Sequence, residues 1–165
     1  MRISDTELQP TEHSLRDSAM NTRAKPAMAP FSLHHFLDTP GQHQTIKEYK
    51  QDDPVFLQGD PSDAVFYIQT GRIRLTVKSI HGQKGVIAVL EAGAFLGEGC
   101  LAGQTLNVAT AEAATAARLI KIEKQTMIRA LRDEPALSEL FISFLLKRHI
   151  QLEADLARHL FTPVD

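Results

Sequence analysis

Between Thr45 and Ile122 the chain is a series of short apolar runs separated by turn residues at fairly regular intervals, the pattern of an all-β sandwich or barrel. Val55, Phe56 and Leu57 run into a turn at Gln58, Gly59, Asp60 and Pro61, and Val65 to Ile68 into Thr70, Gly71 and Arg72. Ile73, Leu75 and Val77 then alternate with Arg74, Thr76 and Lys78, which puts apolar side chains on one face of a half-exposed strand. His81 and Gly82 predict a tight turn, Val86 to Leu90 the returning strand, and Val108 to Ala117 with Leu119 to Ile122 the last pair. Strands this short are not stable singly, so the expected fold is their mutual packing.

On either side of this stretch the pattern changes. From Met1 to Pro30 the chain is polar and rich in breakers, with Pro10, Pro26 and Pro30, and reads as a flexible arm. Phe31, Leu33, Phe36 and Leu37 then lie at helical spacing before the turn residues Asp38 to Gly41 and predict a short N-terminal helix. After Ile122, Met127, Ile128 and Leu131 predict a short helix ending near Glu134, and Pro135 suits the first turn of the next. No glycine or proline follows until past Phe161, which allows a helix of about 39 Å at 1.5 Å per residue.

Leu137, Phe141, Leu145, Leu152, Leu156 and Leu160 form a stripe along this long helix, widened by Leu140, Phe144 and Leu146 and interrupted by Arg148 and His149. The helix exceeds what a small roll needs as cover, so one side is expected to pack on the roll and another on a partner helix. Phe141, Leu145, Leu152 and Leu156 are the expected homodimer contacts. The predicted organisation is an arm over 1–30, a β-roll with flanking short helices over 31–134, a long dimerisation helix over 135–161 and a tail over 162–165. The fold class is mainly β with helices, a double-stranded, jelly-roll-like β-roll.

Composition narrows the chemistry. With 43% hydrophobic and 23% charged residues in 165, the chain can bury a core without staples. Eighteen basic residues against twenty acidic ones leave no overall field to attract DNA or an anionic membrane, so neither is expected as a partner of this segment. Cys100 is the only cysteine, which excludes an intramolecular disulfide and any all-cysteine metal centre within one chain and fits a reducing, cytoplasmic setting. No stretch reaches the roughly 20 apolar residues of a membrane helix. His34, His35, His81, His149 and His159 fall in helices or at a hairpin tip and make no His-X-His strand pair, so no metal site of the cupin kind is expected. Cys100 has no base motif beside it, and no enzyme is expected.

The densest signal is Ala92-Gly93-Ala94-Phe95-Leu96-Gly97-Glu98-Gly99-Cys100-Leu101, followed by Asn107-Val108-Ala109-Thr110-Ala111. Glycines flanking an acid let main-chain amides approach an anion while the Glu98 carboxylate accepts from hydroxyls. Together with Gln58-Gly59-Asp60-Pro61, Ala64 to Ile68, the hairpin at Gly71 and the terminal helix, this stretch makes about Phe31 to Phe161 resemble the sensor domain of the Crp/Fnr superfamily of bacterial transcription regulators, a β-roll of the cyclic-nucleotide-binding type. The resemblance implies a ligand site at Gly97, Glu98, Gly99, Cys100, Asn107 and Val108, with cyclic AMP or cyclic GMP as effector.

Two departures accompany the resemblance. Asn107 stands where family members that bind cyclic nucleotides carry an arginine for the cyclic phosphate, so ordinary cyclic AMP sensing is expected to be weakened; Arg72, Arg74 and Lys84 are candidate substitutes. The chain also stops at Asp165, where the family's helix-turn-helix domain would follow. A fragment of a longer regulator, with DNA read by a further domain, stands slightly ahead of a free-standing module. Two functions remain: a ligand sensor whose effector repositions the long helix, and a ligand-free dimerisation or interaction module with a degenerate nucleotide pocket.

Overall fold

Among the described residues, eight strands form two four-stranded antiparallel sheets, whose membership follows from how each strand's side chains divide between two cores. The computed structural model describes Phe36 and residues 44–163. The strands are β1 (Gln44–Tyr49), β2 (Pro54–Phe56), β3 (Ala64–Thr70), β4 (Arg72–Lys78), β5 (Lys84–Glu91), β6 (Phe95–Leu96), β7 (Thr110–Ala113) and β8 (Ala117–Glu123). A 3-10 helix spans Glu98–Ala102, and two α-helices follow, α1 (Lys124–Asp133) and α2 (Pro135–Phe161). One sheet runs β1-β8-β3-β6 and the other β2-β7-β4-β5.

The first sheet is buried on both faces. Ala64, Phe66 and Ile68 of β3 face the second sheet with Ile73, Leu75, Leu90 and Leu119. Val65 and Tyr67 turn the other way, onto Met127 and Ala130 of α1 and Leu137 and Phe141 of α2. A strand covered on both sides has no polar face to alternate with, which is why Val65 to Ile68 reads as an unbroken apolar run. The second sheet has one covered face. Ile73, Leu75, Ala111 and Ala113 point inward, leaving Arg74, Thr76 and Lys78 of β4 and Thr110 and Glu112 of β7 on its outer surface by the two-residue period.

The mainly β roll with a long C-terminal helix stands as expected, with three differences in detail. The stretch Val108 to Ala117 is not one strand, because β7 ends at Ala113 and the chain crosses between sheets before β8 begins at Ala117. That crossing is fastened to the β3–β4 turn: Ala114 N donates to Arg72 O at 2.9 Å and Arg72 N donates to Thr115 Oγ1 at 3.0 Å. Gly71 (φ 88°) packs so closely there that a Cβ would come within 2.7 Å of Ala117 Cα. A second difference is β1, an edge strand whose interior positions are all exposed, Ile46 by 47%. A third is β6, only two residues long. The arm over 1–30 and the N-terminal helix at Phe31 to Leu37 lie outside the described residues except Phe36, which packs partly buried against the core beneath the helices.

Helix α2 begins with Pro135 in its first turn and spans 27 residues, about 40 Å at 1.5 Å per residue. Leu137 and Phe141 are buried against the roll, with Phe144 and Leu145 packed at the margin. Beyond them Leu146, Ile150, Leu152, Leu156, Leu160 and Phe161 are exposed. Among the described residues, no helix is long and apolar enough to cross a membrane.

Candidate functional site

The Gly-Glu-Gly segment is positioned from both sides. On its N-terminal side β6 pairs Phe95 with Tyr67 and Leu96 with Phe66, and both side chains are 1% exposed. The Phe95 ring centroid lies 5.1 Å from that of Tyr67, 5.0 Å from Phe141 in an edge contact and 5.5 Å from Phe144. A single buried ring two residues before Gly97 thus joins the sheet to α2. Next, Gly97 takes a left-handed conformation (φ 77°), and a Cβ there would sit 2.7 Å from Ala64 O. Gly99 lies under Gln104, whose side-chain amide would collide with any Cβ. Gly97 is therefore set by a main-chain approach and a left-handed φ, whereas at Gly99 the crowding comes from a side chain that can turn aside.

Glu98 opens the 3-10 helix and is half-buried. Burial pushes its carboxyl above the ordinary carboxylate range, against the opposing pull of its own main-chain hydrogen bond and of the Arg148 guanidinium on α2. Arg148 was visible in the sequence only as an interruption of an apolar stripe; the fold shows that the interruption carries charge to the glutamate fifty positions earlier.

Cys100 differs from its neighbours. It is fully buried among Val65, Tyr67, Phe95 and Met127, and burial pushes its thiol up. Its sulfur belongs to the core, which leaves only its main chain to face a ligand.

Asn107 is 8% exposed and tied to the turn after β2. Gly59 N donates to Asn107 O and Asn107 N to Asp60 O, each at 2.8 Å, and Asn107 Nδ2 donates to Pro61 O at 3.4 Å. A short amide at this position reaches the nearest carbonyl. It lines a cleft of about 220 Å³ with Phe56, Asp60, Ser62, Phe66 and Lys121, in which Ser62 Oγ is buried without a hydrogen-bond partner. The cleft shares Ala64 and Phe66 with the contacts of Gly97, but none of Gly97 to Cys100 lines it. Val108, the sixth expected residue, is 64% exposed.

The expected substitutes for a phosphate-binding arginine lie elsewhere. Arg74 is engaged by Glu112 at 3.3 Å and Asp52 at 3.5 Å on the outer sheet face, and Lys84 lines a separate groove there. The cation beside Asn107 is Lys121, paired across the strands with Phe66. Its sequence signal was a lysine at an inward position of the run Leu119 to Ile122. The dimer set also divides: Phe141 is 5% exposed and packs inward, Leu145 sits at the core margin, and Leu152 and Leu156 are exposed. Phe141 lies one turn from Leu137 on the stripe that covers the sheet, so its ring is not available to a partner. Among the described residues, no group of His, Cys, Asp and Glu is placed to hold a metal ion.

Comparison with known proteins agrees with this geometry. Residues 46–134 match the family described as the cyclic nucleotide-binding domain. The chain is 28% identical over 110 residues to the cyclic AMP receptor protein of Thermus thermophilus, covering 66% of this chain and 51% of the relative. It is 20% identical over 117 residues to a cyclic AMP-activated global transcriptional regulator of Mycobacterium tuberculosis, covering 71% and 52%. It thus spans about half the length of the curated relatives it matches. Among solved structures, it superposes on the c-di-GMP-responsive global regulator of Xanthomonas campestris with a TM-score of 0.68 at 20% identity, over 74% of this chain and 62% of that one. Because the match over residues 46–134 takes in more than half of its length, the chain belongs to the cyclic nucleotide-binding domain family.

Proposed function

We propose that this chain is the effector-sensing segment of a Crp/Fnr-type transcription regulator, and that its effector is a cyclic nucleotide, cyclic AMP or cyclic GMP, or another small anion of that kind. The ligand sits at Gly97 to Cys100, with main-chain amides and the Glu98 carboxylate toward it, and extends to Asn107 and Val108. Lys121, in the cleft with Asn107, supplies positive charge that the asparagine lacks. DNA contact falls to a separate domain of the parent regulator.

The observation that carries this reading is the packing of Phe95, at the entrance to the ligand loop, against α2. Phe95 is wedged edge-on against Phe141 and Phe144, and Glu98 lies in the field of Arg148. A ligand that engages Glu98 changes the electrostatics that Arg148 meets on the helix. It works as a switch only if it binds one helix arrangement more tightly than the other. The exposed apolar residues Leu152 and Leu156 make a second copy the natural receiver of that change, and the homodimer is part of the proposal.

Hydrogen exchange with and without cyclic AMP tests the coupling. Slower exchange over 97–102 together with altered exchange over 141–150 is the expected result; protection confined to the loop, with α2 unchanged, contradicts it.

A further inference from the structure

The outer face of the second sheet carries a groove of about 790 Å³, separate from the Glu98 loop, between the β4–β5 hairpin and the segment after β2. Lys78 and Lys84 line it and stand directly opposite each other in the β4–β5 register. Like charges in that position repel, and neither ammonium group has an acidic partner among the described residues. The two carboxylates at the groove, Asp52 and Glu112, are engaged by Arg74.

Thr76 lies in the groove wall only 7% exposed, and its hydroxyl has no hydrogen-bond partner among the described residues. Beside it the wall is held rigid. Lys78 N donates to Gln58 Oε1 at 2.8 Å, Gln58 Nε2 donates to Lys78 O at 3.3 Å, and Gln58 N donates to Thr110 Oγ1 at 2.9 Å. Thr110 is thus used as an acceptor, and its own proton remains to be donated into the groove.

A hydroxyl free of protein partners and open to the groove, a second hydroxyl with a proton to give and two uncompensated cations line one space. We propose that this groove is a second ligand site, for an oxyanion of the phosphate class, with Lys78 and Lys84 as charge partners and Thr76 and Thr110 as donors. The bound anion relieves the lysine repulsion and accepts from Thr76.

The test is titration of the protein with inorganic phosphate against chloride at matched ionic strength, followed by amide chemical shifts. Saturable shifts at Thr76, Lys78 and Thr110 are expected, with affinity reduced about tenfold in Lys84→Gln and in the near-isosteric Thr76→Val. Lys84→Gln should also melt higher than wild type in chloride, because it removes the repulsion. Glu98→Gln should leave phosphate binding here unchanged, which separates this site from the nucleotide site. Linear, unsaturated shifts in wild type, or wild-type affinity in both groove variants, would overturn the proposal.

Discussion

Glu98 shows how a proposed binding residue can be held at a cost to the fold. Its carboxyl is raised by burial, so the native protein keeps a proton at pH values where the unfolded chain has lost it. Native binding then exceeds unfolded binding, and stability falls as pH rises from the ordinary carboxylate range through the raised folded value. Above that value the contribution is gone. Glu98→Gln should flatten this slope and raise stability at neutral pH, while weakening cyclic nucleotide binding by about ten- to a hundredfold, the worth of a hydrogen bond to a charged group. Urea midpoints across the acid-to-neutral range check the first effect, and parallel slopes for wild type and variant would contradict it. The glutamate and its flanking glycines were legible in the sequence because they are adjacent. Arg148 and Lys121 were not read as part of the site, since each reaches it from another element. Cys100 divides between loop and core: its main chain belongs to the loop, and its sulfur is buried in the cluster with Phe95 and Met127, as its apolar neighbours suggest.

Among the elements, α2 divides into two functions. Its first half closes the core through Leu137 and Phe141, and its second half presents exposed leucines. Phe141→Ala should cost about 3–5 kcal/mol of stability, as large-to-small changes in packed aromatic sites do, and loosen the Phe95 contact with it. Leu156→Glu should leave the monomer's stability nearly unchanged, because the residue is 61% exposed, yet abolish the homodimer. Sedimentation of both variants and wild type checks this; a wild-type chain that is monomeric at high micromolar concentration contradicts the dimer. The helix was readable end to end, since the chain from Pro135 to Phe161 has no glycine and no further proline to stop it. Strand β1 was not, because QTIKEY at a sheet edge buries too little to show a two-residue period. The end of β7 was hidden for a related reason: the crossing Ala114-Thr115-Ala116 contains no glycine or proline and is held by contacts with Arg72 from forty residues away.

Taken as a whole, the molecule is two sheets and a helix that share aromatic contacts at the loop where a ligand would sit. The sheet buried on both faces anchors the loop through Phe95, and the same ring touches α2. A shift at the loop therefore meets a packed junction, the kind of interface that moves between discrete arrangements. To carry the population from nearly all of one arrangement to nearly all of the other, the effector must prefer the second by about ten thousandfold. A partial preference would give a graded response. The roll and the glycine-glutamate loop could be read from order and spacing along the chain; what joins them to the helix required the fold, because Phe95, Phe141 and Phe144 meet only after the sheets have closed.

The central claim is that the loop from Gly97 to Cys100 binds a cyclic nucleotide even though Asn107 replaces the customary arginine. Calorimetric titration of the purified chain with cyclic AMP, repeated with cyclic GMP, tests it most directly. Saturable heat with one of them, at a dissociation constant in the micromolar range, is the predicted result. No heat from either nucleotide up to millimolar concentration would contradict the account and leave the chain as a dimerisation module with a pocket that no longer holds its ligand.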